Sequence, residues 1–396
     1  MYTFSPSLQE LDERAARFLK RLNALNPDWD TAFIINKTNM YYFTGTRQDG
    51  VLVFKRNGDR KLFARRSFNR AKDESPLDAI FPMRSYGDVA AEIGADAGHL
   101  LIENDTIPVS LFKRITSKIK YDGILPVEKA VSDVRAVKSP WELTIIEEVA
   151  SRQNEIMRKV IPQLLTVGKS ETEFYGDLKH EMLRRGHMGF VRFNAFQEEL
   201  MGCQFGFGEN SLDPCAFDGP GGMRGMYPAA PFAGDRNRFL KKGDLVFVDL
   251  SFAMGGYHTD ISQAYSVGMH QNDEVENYHA QCKGILEKAA SLLKPGVTPA
   301  QIYENATPFE DNIFMSHFMG MENPVRFLGH SFGLTVDEKP VIAKGFDEPI
   351  TENMVFAIEP KRGVEGHGYV GVEEDFLVTK DGCHCISGGA QDIIIV

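Results

Sequence analysis

Long apolar runs are missing from this chain of 396 residues. No uninterrupted stretch reaches the roughly 18 apolar residues that a bilayer-spanning helix needs. The opening MYTFSPSLQELDER also lacks the charged-then-apolar pattern of a leader, so a cytoplasmic protein with no membrane partner is the expectation. Cysteine is scarce and odd in number. Cys203, Cys215, Cys282, Cys383 and Cys385 make no disulfide framework. Cys383-His384-Cys385 has no second pair at zinc-finger spacing and reads as ordinary residues near a late turn. Positive charge is in deficit: 44 Lys and Arg against 55 Asp and Glu give −11, which excludes a broad basic footprint and with it a nucleic-acid partner. Tandem repeats of about 20–50 residues are absent. The Gly/Pro-dense stretch FDGPGGMRGMYPAAPFAG has no Lys-Ser/Thr and is not a P-loop; it reads as a loop lining a pocket.

What is present is the composition of a globular protein, 43% apolar and 25% charged, in a chain long enough for two domains. Leu8, Leu11, Ala15, Phe18, Leu19 and Leu22 recur at helical steps over 7–24. AFIINKTNMYYFTG reads as strand and turn ending at Gly45, and VLVFKRNGDRKLFAR as a hairpin through Asn57-Gly58. A strand in HLLIEND and a helix near 108–118 complete a small α/β unit. Ser139-Pro140 with Glu142 predicts a capped helix start, placing the domain boundary at 130–140. A further helix spans 170–185 and stops at Gly186, and 203–236 reads as loop.

Three late segments carry the chemistry. GDLVFVDLSFAMGGYHTDISQAYSVG holds Asp249 near a strand end and Asp260 on the partner strand, joined through Gly255-Gly256. GHSFGLTVDEKPVI holds His330, and MVFAIEPKRGVEGHGYVGVEEDFLVT holds Glu359 and Glu373 beside apolar strands. An acid in such a strand is costly unless it is paired or metal-bound. Any one of these residues alone reads as a solvated acid or a satisfied core histidine. Four carboxylates in one cavity would repel, and two divalent cations would cancel their charge. Carboxylates plus one imidazole suit Mn²⁺, Fe²⁺, Co²⁺ or Zn²⁺.

These segments resemble the metallopeptidase family of Xaa-Pro aminopeptidase, prolidase and methionine aminopeptidase, which shares the pita-bread fold with creatinase. The two Asp ligands of that family lie eleven apart, as Asp249 and Asp260 do; its GH motif matches His330, its EP pair Glu359-Pro360, and its second Glu, fourteen on, Glu373. NMYYFTG and DVRAVKSPWELTIIEEVA are similar to the prolidase and creatinase branch. The resemblance implies an α+β architecture: an α/β creatinase-like N-terminal domain over 1–135, then a pita-bread catalytic domain over 136–396. It implies two metal ions held by Asp249, Asp260, His330, Glu359 and Glu373, with Asp260 and Glu373 bridging. A bridging hydroxide would attack a peptide carbonyl, and Glu359 would shuttle the proton to the leaving nitrogen. A small peptide substrate and a homodimer follow from the same likeness.

The substrate shell departs from that pattern. Two histidines of Xaa-Pro peptidases fall on Phe232 and Asp337; the family Arg before the second Glu is Gly371, the Tyr of its EPGIY-like turn is Gly363, and the Arg after the second Asp is Gln263. Asp337 is accordingly a candidate catalytic or pocket residue, with Phe232 and His258 as pocket candidates. His367 and Arg362 are close enough to ligands in sequence to substitute in part. The alternatives are a non-peptidase metalloenzyme acting on a small amide, amidine or other metabolite, and a binding protein that keeps the fold without catalysis.

Overall fold

Ser7 accepts from the Glu10 N–H as N-cap, and the helix it starts, Leu8–Leu25, buries Leu11, Phe18 and Leu22 on one face. In the computed structural model, which describes residues 4–195, 202–217 and 219–396, the chain divides into two compact units, Met1–Arg135 and Ala136–Val396.

The first unit is built on six strands: β1 (Thr31–Ile34), β2 (Gly50–Lys55), β3 (Arg60–Ala64), β4 (Ile80–Pro82), β5 (His99–Ile102) and β6 (Gly123–Pro126). They lie in the order β4-β3-β2-β1-β5-β6, with β1, β2 and β3 antiparallel and the outer pairings parallel. The hairpin from β2 to β3 turns at Asn57-Gly58, where Gly58 has φ +98°. A helix at Val109–Thr116 meets the expectation near 108–118. The segment expected as strand and turn is different: only Thr31–Ile34 is strand, and Lys37–Thr44 is helical. Asn36 accepts from the N–H groups of Thr38 and Asn39, Gly45 closes the helix in the left-handed region, and burial of Met40, Tyr42 and Phe43 overrides their β preference.

The second unit opens with the helix Pro140–Glu155, whose capping box is the one read from Ser139 and Glu142. It continues through a π-helical turn, Ile156–Val160, into Ile161–Leu164. The helix Glu171–Arg184 follows. Next come β7 (Cys203–Phe207), β8 (Leu245–Met254) and β9 (Tyr257–Ser266); β7 lies in a segment expected as loop, because its FGF core pairs with the buried strand β8. The remaining strands are β10 (Phe327–Ser331), β11 (Glu338–Ala343), β12 (Val355–Ile358), β13 (Lys361–Val364), β14 (Gly368–Gly371), β15 (Glu374–Val378), β16 (Cys383–Cys385) and β17 (Ile394–Ile395). Among the described residues these strands form three sheets, ordered β17-β9-β8-β7, β11-β10-β12-β15-β16 and β13-β14. The helix Asp273–Leu292 packs Cys282, Leu286 and Ala289 against Leu328, Phe356 and Ile358 of the five-stranded sheet. No helix among the described residues is long and apolar enough to cross a membrane.

Candidate metal centre

Every residue of β8 and β9 is buried, so both faces of this hairpin are covered and a carboxylate on it must find a partner inside the protein. Asp249 lies opposite Ser262, and Ser251 opposite Asp260. Residues two apart share a strand face, so both acids project from the same side. The helix that starts at Pro140 steadies the hairpin: Tyr257 Oη donates to Glu142 at 2.9 Å, Tyr265 Oη donates to the Met157 carbonyl at 2.7 Å, and Gln153 donates to the Leu250 carbonyl. Arg158 bonds both Gln263 and Glu374, at 2.7 Å to the latter. Its guanidinium thus enters the region where the family Arg is replaced by Gln263.

Glu373, just before β15, exchanges backbone hydrogen bonds with Ser262, each 3.3 Å, and its Oε2 accepts from Ser262 Oγ at 2.8 Å. His330 on β10 faces Val341 and Ala357 on its two neighbours, with register irregularities on either side of it against β11. Its Nδ1 donates to the Ser331 carbonyl at 3.1 Å, and Nε2 stands 3.3 Å from Glu359 Oε1. Asp260, His330 and Glu373 each bring a donor atom within 4.8 Å of the other two. Asp249 and Glu359 join the cluster through a residue not anticipated from the sequence. Lys361 Nζ donates to Asp249 Oδ2 at 2.8 Å and Glu359 Oε2 at 2.8 Å, and lies 2.9 Å from Glu373 Oε2. All five expected ligands therefore stand around one point, with an ammonium among them.

Burial sets the electrostatics, and the neighbours decide its sign. Burial pushes the Asp260 carboxyl well up, reinforced by the charges of Glu373 and Asp249. Burial also pushes Glu373 up, to about 8, although Lys361 opposes it. Burial acts the same way on Glu359, but Lys361 and His330 outweigh it and hold that carboxyl below its usual range. Burial would lower His330 and Lys361; Glu359 raises the imidazole to about 9, and Asp249, Glu359 and Glu373 keep the ammonium firmly charged. A cation bound by His330 must displace that imidazole proton.

A second residue missed by sequence reasoning is Asp375, buried at the same point, whose Oδ2 accepts from the Asp260 N–H at 3.1 Å. Nothing in VEEDFLVT separates it from its acidic neighbours. Lys361 did leave a signal: it stands at the glycine of the EPGIY-like turn.

The outer candidates divide. Asp337, half-buried between β10 and β11, accepts from the N–H groups of Asn194 at 2.6 Å and Ala195 at 3.2 Å, and burial raises its pKa. His258, expected in the pocket, has both ring nitrogens on backbone: Nδ1 donates to Gly333 at 3.0 Å and Nε2 accepts from Arg192 N–H at 3.0 Å. It fastens the loop after β10 and has no nitrogen left for a substrate. Phe232 is half-buried just beyond the Tyr227–Ala230 turn, its carbonyl accepting from Met226 N–H at 3.1 Å; among the described residues no hydrogen bond or ring contact ties it to the acids. Arg362 stacks 3.5 Å from the Tyr278 ring centroid and donates to the carbonyls of Phe314 and Ile313, a packing role. His367 sits at the turn from β13 to β14, its Nδ1 on Glu365 carbonyl and Nε2 on Asn272. Neither points at the cluster.

Residues 144–380 match metallopeptidase family M24, and residues 14–137 match the creatinase/prolidase N-terminal domain. This chain belongs to family M24. Among curated relatives, the M24 chain is 26% identical over 316 residues to a probable dipeptidase PepE of Mycobacterium tuberculosis, covering 78% of this chain and 74% of that one. It is 23% identical to an Xaa-Pro dipeptidase of Pyrococcus furiosus, covering 92% and 95%. A prolidase from Pyrococcus horikoshii has the same fold at TM-score 0.79 and 21% identity, over 96% of this chain and 100% of that one. An X-Pro aminopeptidase from Thermotoga maritima superposes at 0.77 with 22% identity, over 96% and 99%. The architecture is the expected pita-bread fold behind a creatinase-like N-terminal domain.

Family M24 implies divalent metal. Asp260 Oδ1 and Glu373 Oε1 are buried beside His330 with no hydrogen-bond partner, which is the chemistry of an oxygen waiting for a cation. That part of the cluster fits a metal ion. The part around Asp249 is filled by the Lys361 ammonium.

Proposed function

We propose that this chain is a metal-dependent peptidase, an aminopeptidase or dipeptidase acting on Xaa-Pro or other short peptides. The observation that carries the reading is the convergence of Asp249, Asp260, His330, Glu359 and Glu373, with unpartnered carboxylate oxygens on Asp260 and Glu373. Asp260, His330 and Glu373 would hold a divalent ion, Mn²⁺, Co²⁺, Zn²⁺ or Fe²⁺. When bound, such an ion polarises a carbonyl and brings water from a pKa of about 15.7 toward 7. Glu359, kept ionised by Lys361 and His330, takes the proton of the attacking water and returns it to the leaving nitrogen. Lys361 holds Glu359 and Asp249 in place through hydrogen bonds. A homodimer in the cytoplasm belongs to the same reading.

The test is hydrolysis of an Xaa-Pro dipeptide and tripeptide panel by protein loaded with each of the four ions. Turnover of Xaa-Pro bonds above other peptides supports the assignment, and no turnover of any peptide overturns it. One observation favours a second reading, a metalloenzyme for a small amide or amidine. Asp337, beside His330 and bound to the Asn194–Ala195 backbone, replaces a family histidine with an acceptor suited to a cationic substrate group. A metabolite screen in which amidines are cleaved and peptides are not would establish it.

A further inference from the structure

Lys361 Nζ is enclosed, with its side chain 1% exposed, and meets three carboxylate oxygens at 2.8, 2.8 and 2.9 Å. Two of its N–H groups donate to Asp249 and Glu359, and Glu373 adds a third close charge contact. A first-row divalent cation requires carboxylate oxygens at about 2.0–2.2 Å. A metal ion using the same Asp249, Glu359 and Glu373 oxygens would share the space of the Nζ, and the two like charges would repel.

Lys361 is not a side chain that chanced to fold inward. It opens β13 directly opposite Gly371 of β14. Gly371 has φ +137°, and a Cβ added to it would lie 2.5 Å from the Pro360 oxygen, 2.7 Å from Lys361 Cα and 3.3 Å from Lys361 Cβ. A side chain at 371, the arginine of the family pattern included, has no room while the Lys361 backbone sits where it does. The cation that this hairpin carries inside the cluster is therefore the one on β13, Lys361, opposite a position on β14 that only glycine fills.

We infer that the Lys361 ammonium permanently replaces one of the two metal ions, and that the centre takes a single divalent cation at Asp260, His330 and Glu373. Asp249 is thereby retired from the ligand set and serves as a counter-ion to Lys361. The inference rests on reading the cluster as a metal centre and is independent of the substrate.

The test is metal stoichiometry on the full chain. Purified protein is stripped with chelator, loaded with excess Mn²⁺ or Co²⁺ and freed of unbound ion; bound metal per chain is then read by elemental analysis and by titration calorimetry. One ion per chain is expected for the wild type, and for Asp249→Asn as well. Asp260→Asn is expected to lose the ion. Lys361→Gly, which restores the smaller residue and frees Asp249, is expected to bind a second ion. Two ions in the wild type, or loss of the only ion in Asp249→Asn, overturn the inference. No ion in the wild type overturns it together with the metal-centre reading, whereas one ion without peptide turnover leaves it standing and removes only the peptidase assignment. If Lys361→Gly does not fold, the wild-type stoichiometry and the magnetic spectrum of the Mn²⁺ form, isolated-ion against exchange-coupled pair, decide the matter without it.

Discussion

A lysine ammonium in a dry interior costs several kcal/mol unless carboxylates surround it, and three surround Lys361. That arrangement gives Glu359 a role separable from metal retention. Its Oε2 accepts from Lys361 and its Oε1 faces His330, whereas Asp260 and Glu373 each keep a buried carboxylate oxygen without a partner. Glu359→Gln is therefore expected to keep its bound metal while kcat falls by about 100-fold or more, as loss of a general base does. Elemental analysis beside steady-state kinetics checks this, and loss of the metal in that variant would place Glu359 among the ligands. The five converging residues were legible because their spacings match the metal ligands of the resembled family and because acids set in apolar strands demand partners. Lys361 was harder to see, since one lysine in a glycine-rich turn usually reaches solvent; only its burial reveals the ion pairs. His258 misled for the converse reason. It lies two residues before Asp260 in sequence, yet backbone groups of Arg192 and Gly333 use both its nitrogens.

At the scale of elements, the hairpin from β13 to β14 sets where Lys361 stands. Gly371→Ala puts a methyl group against the Pro360 oxygen in a backbone conformation that L residues avoid. A loss of about 2 kcal/mol or more is expected, seen as a Tm lower by roughly 5 °C, with weakened metal binding as the cluster shifts. Unchanged Tm and metal content would show that the hairpin yields easily. Local chemistry made several elements readable: the capping box at Ser139, the Asn57-Gly58 turn and the Gly255-Gly256 return that brings Asp260 back beside Asp249. The helix Lys37–Thr44 was not readable as such, because its β-branched and aromatic residues imitate a strand and its only strong helical marks are the Asn36 cap and Gly45. The strand β7 was hidden ahead of the Gly-rich stretch that follows it, and exists because β8 supplies a partner edge.

For the molecule as a whole, stability draws on buried groups that must remain neutral. His187 is buried against the Phe252 ring at 5.1 Å, and its Nδ1 accepts from Gly189 N–H at 3.0 Å. Burial pushes its pKa down to about 3. The folded value lies below the unfolded one of about 6.5, so the folded state binds this proton less readily. Its contribution is complete above about pH 6.5 and is lost as pH falls toward 3, at no more than about 1.4 kcal/mol per pH unit. Denaturant titrations at several pH values should show a shallower acid limb for His187→Gln, by up to one proton; an identical slope would mean another group governs it. All five cysteines are free, so reductant is expected to move Tm by less than about 1 °C. A larger shift would reveal a covalent link.

The Lys361 ammonium is part of the polypeptide, and no chelator can extract it. With the exogenous ion withdrawn, Asp249, Glu359 and Glu373 still share a positive partner, and β13 remains moored to β8 through the Lys361–Asp249 bond. Such a protein would survive metal starvation with its architecture intact, idle but ready to resume work when the supply returns.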